Sequence, residues 1–175
     1  MKFVADILLK LWGWKIIGTS PNLKKYLFIV VPHSSNWDFL LGLLVRSSVG
    51  FKANYIGKEA LFRAPWGWIF RALGGHPVKR DKNYKQVDQI IDIYKREESF
   101  AMAIAPEGTR SKVNKWKTGF YYIAKGAEVP IVMVAFDYGK KEVRFSEPFY
   151  TTDDVDKDFE YMYKYFEGVK RRKEN

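Results

Sequence analysis

The chain has 175 residues, no cysteine, and 30 Lys and Arg against 20 Asp and Glu, a formal charge of +10. That length supports one domain with its own core, and the missing thiols exclude disulfides, thiolate zinc sites and a cysteine nucleophile and fit a reducing compartment. The positive surplus favours an anionic partner (nucleic acid, phospholipid headgroups or a phosphorylated co-substrate), and an aromatic content of 17% favours the lipid surface, where Trp and Tyr settle at the boundary.

The opening "MKFVADILLKLWGWKIIG" lacks a signal-peptide cleavage pattern, and no run approaches the roughly 20 apolar residues that cross a bilayer. Within residues 1–18, Phe3, Val4, Ile7, Leu8 and Leu11 recur at helical spacing, with Lys2, Asp6 and Lys10 on another side. This predicts an amphipathic helix that packs on the core, lies in a membrane interface, or does both. After the loop "GTSPN", "KKYLFIVV" predicts a buried strand and "NWDFLLGLLVRSS" a helix. "FKANYIG" predicts a short strand, "KEALFRAPWGWIFRALGG" a helical stretch broken at Pro65, and "KNYKQVDQIIDIYKREE" an amphipathic helix. A strand "SFAMAIAP", a loop "EGTRSKVNKWKT", a helix "GFYYIAKGAE", strands in "VPIVMVAFDYG" and "EVRFSEPF", and a charged helix from Asp153 follow. Strands alternating with helices predict an α/β fold, a largely parallel sheet flanked by helices, in a single domain over residues 1–175.

His33 falls on the turn after "YLFIVV", at the carboxyl end of a strand, where open α/β sheets form their sites. Residues five apart on one helix point in different directions, so His33 meets Asp38 only from outside the helix, with Ser35 or Asn36 as its cap. Asp38 would then hold one imidazole nitrogen and leave the other for the proton of a hydroxyl. The spacing alone also fits a structural histidine.

"PEGTRS" lies directly after "SFAMAIA", on the same edge of the sheet. Gly108, between Glu107 and Thr109, lets the backbone approach a ligand, and Arg110 offers a fork to phosphate; the bland reading is a polar loop with a surface ion pair. In "ALGGHPVKR", Gly74 and Gly75 mark a turn before Arg80, which taken alone reads as a solvated charge. Two arginines near one histidine suit a phosphomonoester beside a hydroxyl to be deprotonated. Ser34 and Ser35 do not make a serine hydrolase, since no Gly-x-Ser-x-Gly elbow exists in the chain. His76 reads as structural.

The blocks "HSSNWD", "GGHPVKR", "PEGTRS" and "VPIVMV", in that order, with "GKEALFRAPWGWIFRALGG" between the first two, resemble the glycerolipid acyltransferases of the lysophosphatidate acyltransferase type. The resemblance runs from about Leu27 to Val134. It implies that His33 is a general base oriented by Asp38, and that the acceptor hydroxyl attacks the thioester of an acyl-CoA or acyl carrier protein. It also implies that Arg80, Glu107, Gly108, Thr109 and Arg110 bind the acceptor's phosphate, that Lys58 is a neighbour, and that Pro130 belongs to the acyl-donor side. No bound cofactor and no metal is expected, because a thioester is already activated and a positioned base can suffice. The expected acceptor is a lysophospholipid, with 1-acylglycerol-3-phosphate as the default.

Pro32 stands where many members have asparagine, His76 replaces an apolar residue, Lys79 often has an acidic counterpart, and Met133 takes a common proline position. These departures spare His33 and Asp38 but leave the acceptor open. The chain is short for the family, so peripheral attachment to the cytoplasmic side of a membrane, through the first helix and the basic surface, is the expectation. The alternative from another class is a non-catalytic binder of anionic surfaces. It would use Lys79, Arg80, Lys82, Lys112, Lys115, Lys117 and the final "VKRRKEN", with lipid favoured over nucleic acid because no recognition-helix, zinc or aromatic ribonucleoprotein signature is present.

Overall fold

The structure, a computed structural model, describes residues 2–63, 65–78 and 86–172, with the backbone alone at 56–58, 61 and 78. Helix α1 spans Lys2–Trp12 and is shorter than the expected helix over residues 1–18. Gly13 takes a left-handed φ of 79°. Its N–H bonds Lys10 C=O at 3.0 Å and the Trp14 N–H bonds Leu9 C=O at 2.8 Å, the Schellman pairing that ends a helix. Residues Lys15–Ile17 then form strand β1.

The middle of the chain runs β2 Lys25–Val31, α2 Trp37–Val49, β3 Asn54–Lys58, a single 3₁₀ turn Glu59–Phe62, α3 Gly67–Ala72 and β4 Gly75–Val78. Strand β4 was not expected, because "GGHPV" reads as a turn. Gly74, at φ 89°, makes that turn, and the next four residues pair with β3 in parallel. The remainder is α4 Gln86–Arg96, β5 Phe100–Ile104, α5 Gly119–Gly126, β6 Ile131–Asp137, β7 Glu142–Phe145 and α6 Val155–Tyr165. Residues 82–85, which open the predicted fourth helix, lie outside the described residues. Asp154 caps α6, accepting from Lys157 N–H at 3.2 Å.

The seven strands lie in the order β1-β7-β6-β2-β5-β3-β4, and every pairing is parallel except β6 with β7. The expected α/β fold, with helices on both faces of a largely parallel sheet, is what the chain adopts. Strand β2 shows why its sequence is almost wholly apolar. Leu27, Ile29 and Val31 face a core shared with Ile90, Tyr94, Phe120, Tyr121 and Met162 of α4, α5 and α6. Tyr26 and Phe28 face the opposite core, with Leu9, Leu41 and Val45 of α1 and α2. A strand covered on both faces has no solvent side to make polar.

Helix α1 packs through Ala5 and Leu9, whereas Phe3, Val4, Ile7, Leu8 and Leu11 are exposed, Phe3 at 76% and Leu11 at 80%. The apolar stripe that predicts the helix is therefore its outer face.

The chain leaves β2 toward β3 on one side and returns from β5 to β6 on the other side of β2. Such a divergence opens a crevice at the carboxyl ends of the strands concerned. Ile29 of β2 lies opposite Ile104 of β5, so the turns after these two strands emerge side by side.

Candidate active site

Beyond Val31 the chain passes through a cis Val31–Pro32 peptide to His33, and α2 begins four residues later. Asp38, in the first turn of α2, is buried. Its Oδ2 accepts from the backbone N–H of Ser34 at 2.6 Å and of Ser35 at 2.8 Å, and His33 Nδ1 lies 3.2 Å from the same oxygen. The Tyr138 hydroxyl donates to Oδ1. Asn36 makes no side-chain cap; instead the Ser35 hydroxyl accepts from Trp37 N–H at 3.1 Å while Asp38 reaches back to Ser35 N–H. This is the reciprocal logic of a capping box. Asp38 thus starts the helix and holds the imidazole with one carboxylate.

Burial pushes the Asp38 carboxyl up, but the bonds from His33, Tyr138, Ser35 and Ser34 together outweigh it and leave its pKa below the ordinary value. Ionised, Asp38 can only accept. The imidazole therefore presents Nδ1–H to it, and Nε2 is the nitrogen left free for another partner. Burial, and then the bond to Asp38, raise the Tyr138 phenol, which remains a donor. The Ser34 hydroxyl is buried and has no partner among the described residues, so it forms no Ser–His couple.

Glu107, on the turn after β5, is also buried, and its Oε2 accepts from the His33 backbone N–H at 2.5 Å. The carboxylate expected at the acceptor's phosphate therefore braces the His33 turn. Burial raises its pKa against the lowering effect of the His33 N–H and Arg171. Gly108 has φ 64°, a left-handed backbone that favours glycine, and a Cβ there would also displace the end of the Lys117 side chain. Thr109 and Arg110 are exposed beside it.

A family model described as Acyltransferase matches residues 17–137, a span holding both turns. The chain belongs to the acyltransferase family. The acyltransferase expected from the four sequence blocks is borne out. Among solved structures, the crystal structure of the 1-acyl-sn-glycerophosphate (LPA) acyltransferase PlsC from Thermotoga maritima is similar in fold. Its TM-score is 0.64 at 18% identity, over 98% of this chain and 79% of that one. No curated protein matches the sequence.

The acyltransferase brings together His33, Asp38 and Glu107, with Gly108, Thr109 and Arg110 alongside. Lys58 ends β3, with its side chain outside the described residues, as is the whole of Arg80 and Lys79. Pro130 does not join the site. It precedes β6, and its C=O accepts from Leu27 N–H at 2.9 Å, near the amino end of β2 and about 20 Å of strand away from His33. His76 packs edge-on to Phe100 with ring centroids 5.4 Å apart, the structural role expected of it.

Two members of the site had no signal in the sequence. Tyr138 follows β6, 100 residues beyond Asp38. Arg171 belongs to the terminal basic run that reads as solvated charge, yet its Nη2 donates to His33 C=O at 3.4 Å and to Arg110 C=O, and lies 3.9 Å from Glu107 Oε1.

In this acyltransferase an apolar cavity of about 290 Å³ lies between α2 and the sheet. His33, Asp38 and Ala105 line it at the carboxyl edge, and Phe28, Phe51 and Phe145 line it deeper in. The last three rings pack on one another at centroid distances of 5.0 to 6.0 Å. Among the described residues no helix is long and apolar enough to cross a membrane, and no group of three or more His, Asp or Glu could hold a metal.

Proposed function

We propose that this acyltransferase moves a fatty acyl group from an acyl-CoA or acyl carrier protein thioester to the hydroxyl of a lysophospholipid, with 1-acylglycerol-3-phosphate as the first acceptor to test. The observation that carries the reading is the His33–Asp38 pair at the end of an apolar cavity. An acyl chain lying in that cavity brings its carbonyl carbon to the imidazole, with the polar head of the donor outside. His33 Nε2 takes the acceptor's hydroxyl proton as the oxygen attacks the thioester carbonyl. Asp38 stabilises the imidazolium that forms. The tetrahedral intermediate then expels the thiolate, which receives the same proton from Nε2. Ester and free thiol leave, and no covalent enzyme intermediate is needed, because holding the hydroxyl and thioester in register supplies much of the rate.

Arg110 and Thr109, exposed beside His33, suit the acceptor's phosphate, a fork-shaped cation being matched to that group; Arg80 and Lys58 are assigned there by the family resemblance alone. The lipid acceptor reaches the site from a membrane surface. Phe3, Ile7 and Leu11 of α1 are exposed along one side of that helix, and Trp37 and Leu40 of the adjoining α2 are exposed as well; these apolar side chains enter the interface, and the surplus of basic residues favours an anionic leaflet on the cytoplasmic side.

Thiol release from acyl-CoA and from acyl carrier protein, with and without lysophosphatidate, tests the reading in the wild type and His33→Ala. Release that needs acceptor and vanishes in the variant supports it. No release across a panel of lysolipids, with vesicle binding unchanged in His33→Ala, turns the reading to a non-catalytic binder of anionic lipid.

A further inference from the structure

After Tyr165 ends α6, the chain returns across the carboxyl edge of the sheet. Asp137, the last residue of β6, is buried, and its Oδ1 accepts from Gly139 N–H at 2.9 Å, Lys140 N–H at 3.1 Å and Lys170 N–H at 3.4 Å. The Tyr138 N–H donates in turn to Lys170 C=O at 3.0 Å. One buried carboxylate therefore pins the terminal segment beside the residue that bonds Asp38. The Arg172 guanidinium lies over the Trp37 ring, 5.0 Å from its centre. Between these two anchors Arg171 turns inward, with only 24% of its side chain exposed. Its Nη2 serves the carbonyls of His33 and Arg110, which stand on different loops, and faces the carboxylate that holds the His33 N–H.

We propose that Arg171 is a positioning residue of the active site, its guanidinium tying the His33 turn to the Glu107–Arg110 loop. Both the carbonyl and the N–H of His33 are then held, the first by Arg171 directly and the second through Glu107. These contacts all converge on Nη2, whose two N–H groups are fixed in direction by the planar guanidinium, whereas a lysine ammonium is a point donor that rotates on a flexible stem. Arg171 is also the cation facing buried Glu107. Its loss favours protonation of that carboxyl and turns a charge-assisted bond to His33 N–H into a weaker neutral one. The catalytic part of this proposal rests on the reading of His33 as the base.

The test compares the full-length wild type with Arg171→Gln and Arg171→Lys by two readouts. In acyl transfer, kcat falls by up to about 100-fold in Arg171→Gln, the effect of a small misplacement at a reacting centre, while KM for the acceptor stays within about twofold of wild type; the lysine variant does not restore kcat. A raised acceptor KM with kcat unchanged would overturn the proposal in favour of direct phosphate contact. The second readout needs no turnover. The chain has two histidines, so ring-labelled protein gives two imidazole signals, assigned with His76→Gln. Both substitutions displace the His33 signal and leave that of His76, on β4, in place. An unmoved His33 signal in either folded variant overturns the proposal. A displaced His33 signal in a protein that turns over no thioester leaves the tie standing and removes the acyl-transfer reading.

Discussion

The backbone N–H of His33 donates to Glu107 Oε2 at 2.5 Å, across 74 residues of sequence. This bond joins the histidine block to the Glu-Gly-Thr-Arg block, and it separates two roles for Glu107 that the sequence leaves merged. Glu107→Ala leaves the His33 N–H without its acceptor, which costs about 1–3 kcal/mol where water cannot replace it. Glu107→Gln keeps an acceptor oxygen, so urea denaturation should show most of the stability retained in Gln and lost in Ala. Equal destabilisation by the two would mean that the charge, not the bond, matters.

Asp38→Asn should lower kcat by about 10³- to 10⁴-fold with the fold intact, because an amide can donate to Nδ1 and present the wrong tautomer to the substrate. The stability of the same variant carries a pH signature. The folded-state pKa of Asp38 is lowered, so its contribution is present above the unfolded value and is lost as pH falls through the folded one. The gap in melting temperature between wild type and Asp38→Asn is therefore widest near neutral pH, begins to narrow near the unfolded value of about 4, and closes only once pH has fallen past the lower folded value. Glu107, raised by burial, acts with the opposite sign. Its contribution is full below the unfolded value and falls as pH rises through the folded one, and Glu107→Gln removes that slope.

Gly42 lies in α2 and lines the apolar cavity, and a Cβ placed on it meets only Phe136, at 4.0 Å. A larger side chain there has helix propensity in its favour by up to about 1 kcal/mol and projects into space the proposed acyl chain would fill. Gly42→Leu should therefore melt no lower than wild type while losing turnover with long acyl donors more than with short ones. A uniform loss across chain lengths would move the acyl chain out of this cavity.

Phe3 and Leu11 contribute nothing to the core, being 76% and 80% exposed. Phe3→Ser with Leu11→Ser should leave the melting temperature unchanged and weaken sedimentation with anionic vesicles at low salt by at least about tenfold, since each apolar side chain buried in the interface is worth about 1.5–3 kcal/mol. Unchanged sedimentation would assign binding to the basic residues alone.

Strands β2 and β6 were legible because parallel strands covered on both faces leave unbroken apolar runs, and α4 because its apolar residues recur at helical period. The His33–Asp38 contact was legible as well. Once a strand ends before His33 and a helix starts after Ser35, five residues suffice to close it, so local geometry decides. The first helix was legible as a helix but not in its packing. It carries apolar residues on two sides, and only the approach of α2 selects Ala5 and Leu9 as the buried pair. Strand β4 was missed because four residues after a Gly-Gly pair carry no period of their own; pairing with β3 makes them a strand.

Residue types and their spacing determined by themselves the fold class and the way His33 can meet Asp38 at the carboxyl edge of the sheet. The tertiary structure alone decided that Glu107 braces His33, that Tyr138 shares Asp38, that Arg171 reaches both loops, and that Pro130 stands apart. Those contacts depend on the order β6-β2-β5, which sets the ends of distant strands side by side. Strand order arises from the packing of whole elements, so no short window of sequence encodes it.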